Sequence, residues 1–344
     1  MQLTAETIPP TGFTTDRCVA HLRSLLPKEA FAPAPKKLLY MLAHLAAVFA
    51  CFFGIASTDN VLLWPLFSLV IGNSFTCILF YSHELAHHTI LPRHRLAYVC
   101  EVIFFTPISI PATIWRRIHN HSHHVYVNTL RDPDRFFTKS ELSAKGGLIR
   151  TVYTRLFYPH RLNRKWSPLV GCIFITWVLR HTIAALYPRD YQPTIVTYKP
   201  HYSVKQRWMV ISEIAVIAAF HAGILWFLGG FDMRWFFAIP VSYCVGSSIG
   251  MAYIWTQHYL HELGDDNDIL ENTTSIEVPW LFDRLHTYMS YHVEHHLFPG
   301  MNSEYYPRVS ELLKQHYPNH YKRISIREAW RRLWRIDEFI RELR

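Results

Sequence analysis

Paired cysteines are missing from this chain. Its six cysteines, Cys18, Cys51, Cys77, Cys100, Cys172 and Cys244, fall mostly inside apolar runs with no metal-type spacing, which argues against a thiolate metal site and reads them as small buried hydrophobes. Internal repeats, low-complexity linkers and any separable soluble domain are also missing. One compact body with two flanking arms is the simplest account: residues 1–37 as an N-terminal arm, 38–310 as the body and 311–344 as a basic tail. Charge is thin, with 18% Asp, Glu, Lys and Arg against 50% hydrophobic and 15% aromatic residues, an excess of apolar surface over an ordinary soluble domain. No secretory leader is expected, because the first apolar run begins near residue 38 and is too long for the core of a signal peptide.

What the chain has instead is long apolar runs, at 38–57, 61–81, 97–115, 168–187, 208–229 and 235–256. A helix rises about 1.5 Å per residue and the hydrocarbon of a bilayer is about 30 Å thick, so runs of about 20 residues fit a crossing. Two of the six carry groups that a full crossing tolerates poorly: Glu101, Pro107 and Pro111 in one, Arg180 and His181 in the other. Those two are read as interfacial or buried segments, leaving four spans. Lys and Arg gather in the N-terminal arm, in 116–165 and after His258, whereas the links 58–60 and 230–234 are short and nearly neutral. The positive-inside rule therefore directs both ends and the middle segment to the cytosol. The net charge of +9 suits anionic headgroups and calls for no nucleic acid. An all-α fold is expected, an integral membrane bundle of four long helices with interfacial helices and a cytosolic cap.

Twenty-two histidines are present, and their positions matter more than their number. The first group is His83-Glu84-Leu85-Ala86-His87-His88, directly after the second span. On a continuing helix His83 and His87 share a face one turn apart. The second is His119-Asn120-His121-Ser122-His123-His124, where helical spacing aligns His119 with His123, turns His124 about 100° away and puts His121 on the far side. The third is His292-Val293-Glu294-His295-His296, and the fourth span returns at His258. All of these emerge at one membrane face. Imidazoles crowded in this way repel if charged and waste polarity if buried, unless a cation collects them. Eight or nine nitrogens exceed the needs of one ion and suit two, with Fe, Zn, Cu and Ni all admitted by imidazole.

Several neighbours invite a supporting role. Glu84 and Glu294 are expected to accept hydrogen bonds from ring N–H groups, as are Asp132 and Asp134 of Asp132-Pro133-Asp134. The run 265–268 reads as a solvated loop. Gly246-Ser247-Ser248-Ile249-Gly250 reads chiefly as a close-packing helix face, with room for an elongated substrate as the alternative. The tail interleaves Tyr305, Tyr306, Trp330, Trp334 and Phe339 with Lys and Arg, suiting an interfacial segment with rings at headgroup depth. Two rival functions rest on parts of this pattern. His83-Glu84-x-x-His87 fits a membrane zinc protease with Glu84 as general base, and histidine-rich loops fit a metal or lipid transporter.

Three boxes in this order, His83-Glu-Leu-Ala-His87, His119-Asn-His-Ser-His123-His124 followed by Asn128 and Asp132-Pro-Asp134, and His292-Val-Glu-His295-His296-Leu-Phe-Pro, resemble the membrane fatty acid desaturase family. The resemblance implies two irons at the ends of four long helices, beside an apolar tunnel for an acyl chain. It implies as ligands His83, His87, His119, His123, His124, His258, His292, His295 and His296, and leaves His88, His121 and Asn128 as supporting or solvated residues. Spacing in the second box resembles the branch acting on lipid-linked acyl chains. No fused cytochrome b5 module is visible, so an external donor, a ferredoxin or a b5-type carrier, is implied. Molecular oxygen is the implied co-substrate, and the bacterial inner membrane or an equivalent the implied location. Related members hydroxylate or ketolate sphingolipids, carotenoids and other lipids with similar boxes.

Overall fold

In the computed structural model the described residues are 14–135, 137–144, 147–152, 176–187, 196–264, 266–335 and 341–342. Cys172 and Phe339, and residues 168–175 of the fourth apolar run, lie outside them. Among the described residues four helices are long and apolar enough to cross a bilayer: Lys37–Ser57, Trp64–Ala86, Val204–Phe227 and Met233–His258, the first to fourth long helices below. Their bounds differ from the apolar runs by a few residues, and polar caps extend the starts of the third and fourth. Ser203, for example, opens the third with a reciprocal capping pair to Gln206. Among the described residues strands contribute short parallel pairings, Ser275–Glu277 with Arg323–Ser325 and Glu262–Leu263 with Arg341–Glu342.

The run at 97–115 does not make a straight crossing. Helix Arg95–Phe105 ends in a tight turn at Thr106–Ile108, Ser109 adopts φ 60°, and the chain leaves through Pro111 bent by 102°. Pro107 and Pro111 are the cause, since each lacks an N–H and opposes helical continuation. The polar groups that made this run suspect are paired. Glu101, fully buried, receives Arg116 at 2.5 and 2.6 Å, and Glu213 of the third long helix accepts from Thr113 N, Thr113 Oγ1 and Tyr98 Oη. In the other suspect run, helix Val178–Leu186 is described and buries His181.

Second and fourth long helices pack backbone to backbone. Thr76 Oγ1 donates to Gly246 O at 2.9 Å, and Ser68 Oγ reaches Phe237 O at 2.6 Å, beside the wider turn around Pro240. The close-packing reading of the small-residue stretch holds at Gly246. Its counterpart is Gly72, where a Cβ would meet Val245 at 2.6 Å.

Above this bundle sits a cap built from both arms. Cys18 and Leu22 of helix Thr15–Leu25 pack among Val309, Leu312 and Leu313 of helix Tyr306–His316. Of the 265–268 run, Asp265 lies outside the described residues, and the end of the run is more than a solvated loop: Asp268 caps helix Ile269–Asn272 and accepts from Thr15 Oγ1 at 2.9 Å. The tail also departs from a wholly interfacial reading. Helix Ile326–Arg335 buries Ala329 and Leu333 and sets Trp330 within 6.3 Å of Trp255, with Trp334 exposed, while Tyr306 is 1% exposed because its ring faces the histidines.

Candidate metal centre

Each histidine group is placed by an element that ends at the cap. The second long helix carries His83 in its final turn and stops at His87, and the fourth stops at His258. Residues Arg116–His123 wind as a π-helix, with the His124 N–H bonding to His119 O five residues back. This corrects the α-helical expectation for the second box. In the wider turn residues five apart align, so His124 swings toward His119 and their Nε2 atoms lie 3.2 Å apart. The third box is the short buried helix His292–Leu297.

The nine rings fall into two groups, five from His83, His87, His119, His124 and His295, and four from His123, His258, His292 and His296, with donor atoms within 4.8 Å of one another in each. Ring tips converge. His83 and His119 are separated by 2.9 Å between Nε2 atoms, His124 and His295 by 3.0 Å, His258 and His292 by 2.7 Å, and His292 and His296 by 3.1 Å. Two nitrogens bound about 2.1 Å from one ion at right or tetrahedral angles stand about 3.0–3.4 Å apart, so these separations are close to those of ligands sharing a sphere.

Electrostatics favour the same reading. Burial, reinforced by neighbouring imidazoles, holds the pKa values of His292, His295 and His296 well below the ordinary range, keeping the rings neutral and their lone pairs available. Facing lone pairs repel unless something positive lies between them. Nε2 of His87 is buried without a partner, and a cation at that nitrogen would satisfy it. His123 has its Nδ1 2.9 and 3.0 Å from the Asp132 oxygens, and His119 Nδ1 lies 3.3 Å from Asp134 Oδ2. Donation to these carboxylates fixes the proton on Nδ1 and leaves Nε2 as the donor to a metal. The residues fit a pair of metal ions.

Supporting residues divide. Asp132 stands where expected, and Asn128, at φ 54°, donates its backbone N–H to Asp132 at 2.9 Å and its amide to Glu262 O. Glu84 and Glu294 have other partners than the expected ring N–H groups. Lys37 and Thr287 hold Glu84, and Ser275 and Tyr321 hold Glu294, because each carboxylate leaves its helix on the side away from the adjacent ligand face. Engaged in a buried ion pair, Glu84 is not available as the general base of a zinc protease. His88 is half-buried and His121 exposed, and neither joins a group. Sequence reasoning missed the hydrogen bond between His295 Nδ1 and Tyr306 Oη at 3.0 Å, and the bond from Trp177 Nε1 to Asp134 at 2.6 Å. The two aromatic partners, Tyr306 and Trp177, carry no local signal.

Beneath the rings is a cavity of about 330 Å³, walled by Leu79, Phe80, Ile183, Met251, Ile254 and Met289 and reached by His83, His119, His123, His258 and His292. Apolar walls admit a hydrocarbon chain, and the histidines bring two metal groups to one end of it.

The family profile described as fatty acid desaturase matches residues 59–327. The omega-3 fatty acid desaturase, chloroplastic, of Brassica napus is 23% identical over 312 residues, covering 86% of this chain and 72% of that protein. The sn-2 acyl-lipid omega-3 desaturase (ferredoxin), chloroplastic, of Arabidopsis thaliana is also 23% identical, covering 86% and 65%. The sn-1 acyl-lipid omega-3 desaturase (ferredoxin) of Nostoc sp. (strain 36) is 21% identical over 329 residues, covering 91% and 84%.

Proposed function

The chain belongs to the fatty acid desaturase family, and from that membership we propose that it desaturates a long acyl chain carried by a membrane lipid, using two irons, molecular oxygen and an external electron carrier. Oxygen-dependent fatty acyl desaturation at a histidine-ligated two-metal centre is its reaction. In balance, one –CH2–CH2– unit, O2, two electrons and two protons give –CH=CH– and two waters. Iron, when bound, supplies the oxidising chemistry that no side chain here can. The nine histidines are the proposed ligands, His83, His87, His119, His124 and His295 for one ion and His123, His258, His292 and His296 for the other.

The protein's own part is positional. Asp132 and Asp134 hold the protons on Nδ1 of His123 and His119, and Tyr306 steadies His295. The apolar walls would receive the acyl chain and bring one methylene pair to the histidines, and proximity of this kind is worth about 7–11 kcal/mol. The observation that carries the proposal is the opening of an apolar cavity onto both histidine groups.

Two relatives are described as acting on acyl lipids with ferredoxin, which supports a lipid-linked substrate and a ferredoxin or b5-type donor here. The distribution of Lys and Arg supports a cytosolic cap in a bacterial inner membrane or its equivalent. The test is expression in a host with a simple acyl profile, with and without a ferredoxin system, followed by mass spectrometry of intact lipids and released chains. The expected result is a phospholipid acyl chain lighter by two mass units. A gain of sixteen indicates a hydroxylase, and a modified carotenoid or sphingoid base beside an unchanged acyl profile overturns the substrate.

A further inference from the structure

Glu84 sits between two first-box histidines, yet its carboxylate is held by residues distant in sequence. Lys37 Nζ, at the start of the first long helix, lies 2.5 Å from Oε2 and 2.8 Å from Ser303 Oγ. Thr287 Oγ1 donates to Oε1 at 2.5 Å and stands 3.0 Å from Ser303 Oγ. Lys37, Glu84 and Thr287 are each 2% exposed and Ser303 is fully buried. A buried ion pair is weak evidence for stability, because desolvating both charges offsets most of their attraction, so its use is sought in the arrangement it specifies.

That arrangement spans the third box. Thr287 and Tyr288 both take positive φ, 50° and 60°, a conformation side chains seldom adopt, just before the chain enters His292–Leu297. Ser303 lies just after it, where Asn302 N also bonds to Ala30 O at 2.9 Å. The Lys37–Glu84 contact therefore clasps both ends of the third-box segment to the first box. His295 is the one third-box ring in the five-histidine group, whereas His292 and His296 belong with His123 and His258.

We propose that the buried Lys37–Glu84 pair, with Thr287 and Ser303, is a positioning device that sets His295 against His83 and His87, so that metal binding by the five-histidine group depends on it and binding by the four-histidine group does not. The proposal rests on the two-metal reading above.

Iron per chain is measured on purified wild type, Lys37→Met, Glu84→Gln and the double variant Lys37→Met/Glu84→Gln. Each single variant is expected to fall from about two irons toward one, and the double variant, which leaves no unpaired charge but also no pair, to stay near one; recovery of the second iron in the double variant would trace the loss to an unpaired buried charge and overturn the proposal. Placing Lys37→Met on a His296→Ala background, with the four-histidine group disabled, should remove the remaining iron; on a His87→Ala background it should remove no more. Equal loss from both backgrounds, or two irons retained in both single variants, overturns the proposal. Should the single variants fail to fold, Thr287→Val keeps the charges paired and cuts one arm of the clasp. Chelator is then expected to extract one iron at least about tenfold faster than from wild type, and a wild-type release rate for both irons overturns the proposal. Wild type that does not hold two metals overturns the two-metal reading itself, and the same samples report it.

Discussion

The apolar half of the molecule and its histidine cap are held together by different contacts. Between the long helices the contacts are neutral: Thr76 to the Gly246 carbonyl, Ser68 to the Phe237 carbonyl, and backbone approach at Gly72. In the cap they are buried and engage carboxylates: Lys37 to Glu84, Asp132 to His123, Tyr321 to Glu294, with parallel strands pairing residues from 275–277 and 323–325. Lipid gives helices no hydrophobic reason to associate, so the apolar half relies on packing and hydroxyl–carbonyl bonds. A two-ion site requires many donors from separate segments in fixed geometry, so the cap relies on polar networks, which cost heavily when half satisfied. The cap should therefore fail abruptly and lose metal, whereas the bundle should lose stability by degrees.

The largest effect is expected from a ligand. His123→Ala or His295→Ala should each remove at least one iron and abolish turnover together, one from each histidine group. Metal analysis and a lipid desaturation assay on the same samples check it. Activity at the wild-type level after loss of iron would separate the histidines from the chemistry.

Next comes truncation after residue 320. It removes Tyr321 from Glu294, the strand Arg323–Ser325 from its partner and the buried Ala329 and Leu333. Burial already pushes the Glu294 carboxyl up, and Ser275 would remain as its side-chain donor, so a buried acid beside His295 is left under-satisfied. Iron should be lost while helical content by circular dichroism changes little. Full iron retention would make the tail an appendage.

Asp132→Asn is expected to cost about 10–100-fold in activity or metal affinity, the range for groups that orient a ligand. Asp134→Asn should cost less, since its 3.3 Å contact to His119 is longer than the two Asp132 contacts to His123. A chelator competition assay ranks the two, and the reverse order would show that the Trp177–Asp134 bond dominates.

The same division explains what the sequence made legible. Apolar runs and the Lys and Arg bias follow one-dimensional rules, so the four long helices and the break at Pro107 and Pro111 were readable, as were the three boxes. The second box was misaligned because an α-period was assumed where eight residues, Arg116–His123, wind as a π-helix, and composition carries no signal for that. The partners of Glu84 and Glu294 were missed because Thr287 and Tyr321 are 203 and 27 residues away from them. Tyr306 looked interfacial because a Tyr among cations reads that way until the fold turns it toward His295.

The smallest effects belong to the apolar half, and two glycines there separate packing from space. A Cβ at Gly72 would stand 2.6 Å from Val245 Cβ and Cγ1 and 2.7 Å from the Ser242 carbonyl, so neither partner is the far end of a flexible chain. Gly72→Ala must push the second and fourth long helices apart, at about 1–3 kcal/mol, the usual cost of overpacking. Gly250 lies on the fourth helix, is also buried, and an added Cβ meets nothing within 4 Å. Gly250→Ala should leave thermal stability in detergent within about 1 kcal/mol of wild type, with the gain in helix propensity acting in its favour. The pair makes the comparison self-controlled, because both changes add one methyl group to a buried glycine of a long helix. If Gly250→Ala destabilises as much as Gly72→Ala, the small residues of the fourth helix serve close packing along their whole length. If only Gly72→Ala does, the contact is confined to the Gly72–Val245 crossing and the helix keeps open space around Gly250, one residue from Met251 in the cavity wall.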